Sequence, residues 1–181
     1  VDARALAWVA AELGSGSFTG VRVGLATAEA LALAAGAELR GVSSLAALAL
    51  ACGAARTLVV PLVPGGKHDV YAGFFRADTR GRVTLLAAPM VGSVEAVLAM
   101  TAEALAALPG GWPVRFVGPG AARERAALED ALPDATAPAW RADGLSALDL
   151  AAAVRSGGGP AAGLPAPGCP PAPLYVRSAQ A

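Results

Sequence analysis

Seven consecutive residues, Gly14-Ser15-Gly16-Ser17-Phe18-Thr19-Gly20, carry the first hint of chemistry. Glycines and hydroxyls directly ahead of an apolar helical stretch can turn backbone N–H groups and a helix dipole towards an anion. The pattern lacks the Gly-Lys-Ser/Thr ending of a P-loop, and it lacks the GxGxxG spacing and ribose-binding acid of a dinucleotide site. The favoured alternative is a tight strand-to-helix turn, in which Gly14, Gly16 and Gly20 relieve crowding and the hydroxyls cap the helix.

Other reactive residues are scattered. His68 is the only histidine and falls in a turn before a strand, so a two-histidine metal motif is out of reach. Cys52 and Cys169 stand far apart without CxxC spacing and are read as reduced thiols. Neither Ser17 nor Ser44 has a histidine base nearby in sequence; only His68 could serve, and nothing suggests that it does. Glu124, Glu129, Asp130 and Asp149 are assigned to solvated helix faces, and Trp8, Trp112 and Trp140 to core or cap positions. Phe74 and Phe75 alternate on a strand, so at most one of them meets solvent.

Composition narrows the classes. The 14 cationic and 14 anionic side chains cancel, so no net basic field advertises direct nucleic-acid binding. Mean hydropathy is +0.54, yet the longest apolar tract, Val21 to Ala37, is alanine-rich and carries Arg22 and Glu29. No membrane span and no signal peptide are expected, which points to the cytoplasm.

The elements that would position these residues follow from patterning. Ala5 to Ala10 reads as a buried strand, with Thr19 capping a helix that runs to about Ala35 and Gly36 closing it. A strand at Leu39–Val42 and a helix capped by Ser43 or Ser44 complete residues 1–55. Strands at 56–63, 69–76 and 82–88 form a meander, with Pro61 marking an edge or bulge. A helix from Ser93 to about Leu108, a strand at Val114–Val117, a helix over 121–131, a weak strand near Thr136–Trp140 and a helix from Ser146 to Arg155 follow. Residues 156–173 are Gly/Pro-rich, and the tail 174–177 is extended. The order from residue 56 is β-β-β-α-β-α-β-α, that of a ribonuclease H-like lobe in actin-like proteins. Residues 1–55 supply only the second half of such a lobe, so a missing N-terminal meander and helix are expected.

The helix at about 20–35 is apolar on nearly every side, with Val21, Val23, Leu25, Ala28, Leu31, Ala32 and Leu33. Arg22 and Glu29 lie on one side, and Gly24 and Ala28 would permit close helix approach. Such a helix demands two covers. The second is either more of its own chain or a partner helix.

The segment Gly14 to Leu48 resembles the signature of the TsaB (YeaZ) family: a GPGSFTG loop, an xRxGL…A helix and a GVSSL turn. Asp69-Val70-Tyr71-Ala72, Val117-Gly118-Pro119-Gly120 and Pro173-Leu174-Tyr175-Val176-Arg177 resemble further family motifs in order. Ser15 stands where the family usually has proline, and Pro64 to His68 replaces its usual Asp-Ala-Arg turn. The opening "DT" strand and first helix of the family are absent.

The resemblance implies an actin-like two-lobe fold whose first lobe (1–55) is incomplete, followed by a second lobe (56–155) and a tail (156–181). It implies a non-catalytic scaffold subunit of the complex that transfers threonylcarbamoyl to N6 of the adenosine beside the tRNA anticodon. The expected partners are a TsaD-like catalytic paralogue and a TsaE-like ATPase, with tRNA reached only through the complex and ATP and metal held on the partners. The implied interface is Gly20, Val21, Gly24, Leu25, Ala28, Leu31 and Ala32, behind the loop 14–19. A homodimer through the same helix, and a nucleotide-binding ATPase acting alone with the loop as phosphate cradle, are the alternatives.

Overall fold

Two sheets organise the chain in a computed structural model that describes residues 2–133, 135, 144–156 and 171–174. After a 3-10 turn at Ala3–Ala5, strand β1 (Trp8–Glu12) leads through the glycine loop into helix α1 (Phe18–Ala35). Strand β2 (Glu38–Val42) returns parallel to β1, with Trp8 opposite Glu38 and Glu12 opposite Val42. Helix α2 (Ser44–Ala51) then passes to the second sheet.

That sheet is built from β3 (Thr57–Pro64), β4 (Val70–Ala77), β5 (Val83–Gly92) and β6 (Val114–Val117) in the order β5-β4-β3-β6. The meander β3–β5 is antiparallel and β6 adds parallel to β3. Helices α3 (Val94–Ala106), α4 (Pro119–Arg123), α5 (Arg125–Ala131) and α6 (Ala147–Arg155) complete the described fold. Meander first and parallel addition second is the actin-like, ribonuclease H-like arrangement expected from the sequence. The strand expected at 136–140 and the tail beyond Leu174 lie outside the described residues, as do 157–170 of the Gly/Pro-rich segment.

The second sheet is covered on both faces, which explains its apolar strands. Phe74 belongs to the core facing α3, with Leu58, Val60, Val97 and Phe116. Phe75 belongs to the core facing α2 and α6, with Leu45, Leu48, Val59 and Ala153. Neither ring meets solvent. Pro61 sits in a central strand, not at an edge: it is buried and opposite Val117 of β6. Its missing N–H is accommodated by a lapse in β3–β4 pairing between Val59↔Phe75 and Leu62↔Ala72, beside a bulge in β4–β5 at Phe74.

Several local expectations shift. The N-cap of α1 is Ser17, whose Oγ accepts from Gly20 N–H at 3.1 Å, and Thr19 lies inside the first turn. Gly36 closes α1 in the left-handed conformation, and Ser43, Ser93 and Ser146 cap α2, α3 and α6. The helix expected over 121–131 breaks at Glu124 into α4 and α5. Arg123 is drawn aside there, donating to Gly66 O at 2.9 Å and Asp69 O at 2.7 Å. Asp149 is buried instead of solvated, because it closes a capping box with Ser146 at the start of α6.

Helix α2, and not α1, is the helix sheathed on all sides. Its residues Ser44 to Ala49 are all buried between the second sheet and α6. This joins the two lobes through one core, because α6 packs on α2 and also meets β1 and β2.

Candidate partner interface

The glycine loop is stitched into the fold by its own polar groups. Ser15 N–H donates to Ser44 Oγ in a short hydrogen bond, and the two hydroxyl oxygens lie 3.4 Å apart. Ser44 N–H donates to Gly14 O at 2.7 Å. Ser15 N–H, a donor that a phosphate cradle would need, is therefore held by the first turn of α2. Glu12 also approaches Ser44. Protein crowding raises the pKa of its carboxyl and the Ser44 hydrogen bond works the other way, although the residue as a whole is exposed.

The segment 171–174 reaches back to this loop. Leu174 N–H donates to Leu13 O at 2.8 Å. A Cβ on Gly14 would stand 2.9 Å from Leu174 O, and Gly14 has φ +120°, so a side chain is excluded there on both counts. Beside this contact lies a cleft of about 270 Å³ lined by Gly14, Ser15, Ser43, Leu45 and, from β5, Ala88 and Pro89.

Helix α1 buries a single stripe. Leu25, Ala28 and Ala32 are buried, Leu25 and Ala28 against Ala11 and Leu13 with Val9 and Leu39 at the margin. These three were expected at a partner interface. The chain itself covers them, because their spacing of three and four places them together on the inner face. Val21 is half-buried, while Gly20, Gly24 and Leu31 remain exposed, with nothing within 4 Å of where a Gly24 Cβ would be.

The outer surface joins Leu31, expected at the interface, to Val23 and Leu33, which were not. Val23, Leu31 and Leu33 are 60%, 55% and 85% exposed. At about 3.6 residues per turn, Leu33, Ala26, Ala30, Val23, Ala34, Thr27 and Leu31 form one continuous arc. This arc carries no charge: Arg22 and Glu29 sit together at one margin, where the Arg22 guanidinium lies 3.9 Å from the centroid of the Phe18 ring. Seventeen per cent of the helix is buried. Burying Val23, Leu31 and Leu33 would each gain about 1.5–3 kcal/mol.

By length and composition alone, α1 is apolar enough to cross a membrane, with mean hydropathy 1.3 over its 18 residues. Its packed stripe on β1 and β2 ties it to the sheet. Among the described residues, no group of three His, Cys, Asp or Glu could hold a metal ion, and His68 is exposed.

A meander with a parallel added strand, a second parallel βαβ unit and interlocked helices define an actin-like two-lobe protein. The family model for TsaD, tRNA N6-adenosine threonylcarbamoyltransferase, matches residues 1–156. A Pseudomonas aeruginosa structure described as an uncharacterized protein with similarity to peptidase YEAZ superposes with TM-score 0.65 at 25% identity, covering 98% of this chain and 76% of that one. YeaZ from Pseudomonas aeruginosa superposes with TM-score 0.61 at 24% identity, covering 87% of this chain and 69% of that one. No curated protein matches the chain. The chain belongs to this threonylcarbamoyltransferase family, on its TsaB (YeaZ) branch.

Proposed function

We propose that the chain is a non-catalytic scaffold subunit of a complex that transfers threonylcarbamoyl to N6 of an adenosine in tRNA. In this reading α1 pairs with a helix of a TsaD-like catalytic paralogue, and a TsaE-like ATPase joins the assembly. ATP and metal sit on those partners, and the complex works in the cytoplasm.

The observation that carries the reading is the uncharged outer arc of α1. An apolar strip this long, bounded by Arg22 and Glu29 on one side only, is shaped for a second helix and not for water. Ser15, Ser44 and Glu12 support the non-catalytic part, since the loop's polar groups hold the turn together and place a carboxylate where a phosphate would bring negative charge.

Reconstitution tests this directly. The chain alone should give no threonylcarbamoyl transfer and no ATP hydrolysis, and it should raise turnover by the TsaD-like paralogue at least tenfold when added in equal amount. Tight ATP–Mg²⁺ binding with hydrolysis by the chain alone, read by calorimetry, would instead support an independent nucleotide enzyme.

A further inference from the structure

Zero net charge conceals a segregated surface. At the end of the second sheet remote from the cleft, each strand contributes one arginine. Arg115 is on β6, Arg56 immediately precedes β3, Arg76 is near the end of β4, and Arg82 immediately precedes β5. The register sets them side by side: Val59 pairs with Arg115, Thr57 with Ala77, Arg76 with Thr84, and Ala77 with Val83. Arg80, in the β4–β5 turn, makes a fifth, and all five are exposed. With strands about 4.8 Å apart, the row spans about 14 Å. Arg76 and Arg115 leave opposite faces, so the row wraps around the sheet end.

One carboxylate, Asp78, sits among them. It is committed locally: its oxygens accept from the N–H groups of Arg80 at 2.8 Å and Arg82 at 2.9 Å, and from Arg82 Nε at 2.7 Å. No ion pair holds Arg56, Arg76, Arg80 or Arg115 among the described residues. An aromatic ring lies beside the row. Trp112 donates from Nε1 to Pro109 O at 3.0 Å, and the Arg56 guanidinium stands 5.8 Å from its ring centroid.

We infer that this arginine row contacts the phosphate backbone of the tRNA while the complex works on it. The inference rests on the family reading for the identity of the polyanion and on charge complementarity for its position. Four unneutralised guanidiniums in a row, with an aromatic ring at the margin, form an electrostatic track for a nucleic-acid backbone. No base-specific reading follows, because such contacts position the backbone and do not read sequence.

The test is fluorescence anisotropy of a labelled, unmodified tRNA transcript titrated with the complex reconstituted from the full chain and the TsaD-like paralogue, between about 50 and 200 mM salt. The variant Arg76→Glu/Arg80→Glu/Arg115→Glu leaves Arg56 and Arg82, which hold local structure. It should weaken binding at least tenfold and flatten the log–log salt slope by about three. The matching Arg→Lys variant should keep most of both. If the charge reversal disturbs folding, as read by a thermal melt, Arg→Gln at the same positions replaces it with the same expected direction. Undiminished tRNA binding by complexes carrying the variants, no tRNA binding by the native complex, or capture of an acidic protein by this surface in place of tRNA would each overturn the inference. Capture of the TsaD-like paralogue through α1, measured in parallel, should be unchanged by these substitutions. Loss of the scaffold reading is thereby separable from loss of this one.

Discussion

The double variant Val23→Asp/Leu31→Asp should fold like the native chain and lose at least a hundredfold in affinity for the TsaD-like paralogue. Both side chains stand on the outer arc of α1, 60% and 55% exposed, so aspartate there costs the isolated chain little. At a helix–helix interface the same carboxylates would be desolvated without partners, at several kcal/mol each, and the apolar burial would be lost as well. A hundredfold loss corresponds to about 2.7 kcal/mol, well within that sum. The inner face supplies the contrast. Leu25→Asp puts a charge against Ala11 and Leu13 and should destabilise the first lobe itself. Paralogue capture by the double variant at native affinity would place the interface elsewhere.

The largest stability effect is expected at the turn between β6 and α4. Gly118 has φ +95°, and a Cβ there would lie 2.7 Å from Leu62 O and 3.0 Å from Leu48 Cδ1. Gly118→Ala therefore combines a backbone conformation unfavourable for an L-residue with a collision against β3 and α2. Strain of this kind costs about 1–3 kcal/mol before the collision is counted. A loss of about 3 kcal/mol or more is expected, a fall of roughly 6–12 °C in Tm for a chain of this size. Gly110→Ala separates the two contributions, since Gly110 has φ +64° with nothing within 4 Å. It should cost only about 1 kcal/mol. Equal melting of the two alanine variants would mean that β6–α4 does not close tightly on β3.

Much of this architecture was legible because its signals are local. Serines at positions 43, 93 and 146 stand one residue ahead of apolar helical runs and cap them. The β-branched run at 57–63 and the aromatic run at 71–75 form neighbouring strands, as their composition implies. What escaped the reading depends on partners distant in sequence. The alanine- and leucine-rich helices α1 and α2 look alike, and which one is sheathed is decided by α6, about a hundred residues beyond α2. Burial of both phenylalanines likewise needs distant covers, α2 and α6 over Phe75 and α3 over Phe74.

The interface showed the same division. The apolar character of residues 20–35 was visible, but the inner and outer faces were not separated until the fold buried Leu25, Ala28 and Ala32. A strict i, i+3, i+7 count from Leu25 would have assigned those three to one face, leaving Val23 and Leu33 outside. The arginine row was hidden for a different reason. Residues 56, 76, 80, 82 and 115 are scattered along the chain, and only strand register gathers them. A net charge summed over the chain carries no such positional information.

The central claim is that a partner covers the outer arc of α1. Amide hydrogen exchange followed along residues 18–35, with and without the TsaD-like paralogue, measures this most directly. The expected result is that α1 exchanges readily in the isolated chain and becomes strongly protected when the paralogue is added, with crosslinks from Val23 or Leu31 positions to a helix of that partner. Full protection of α1 in the isolated monomer, or no change on adding the paralogue, would contradict the account.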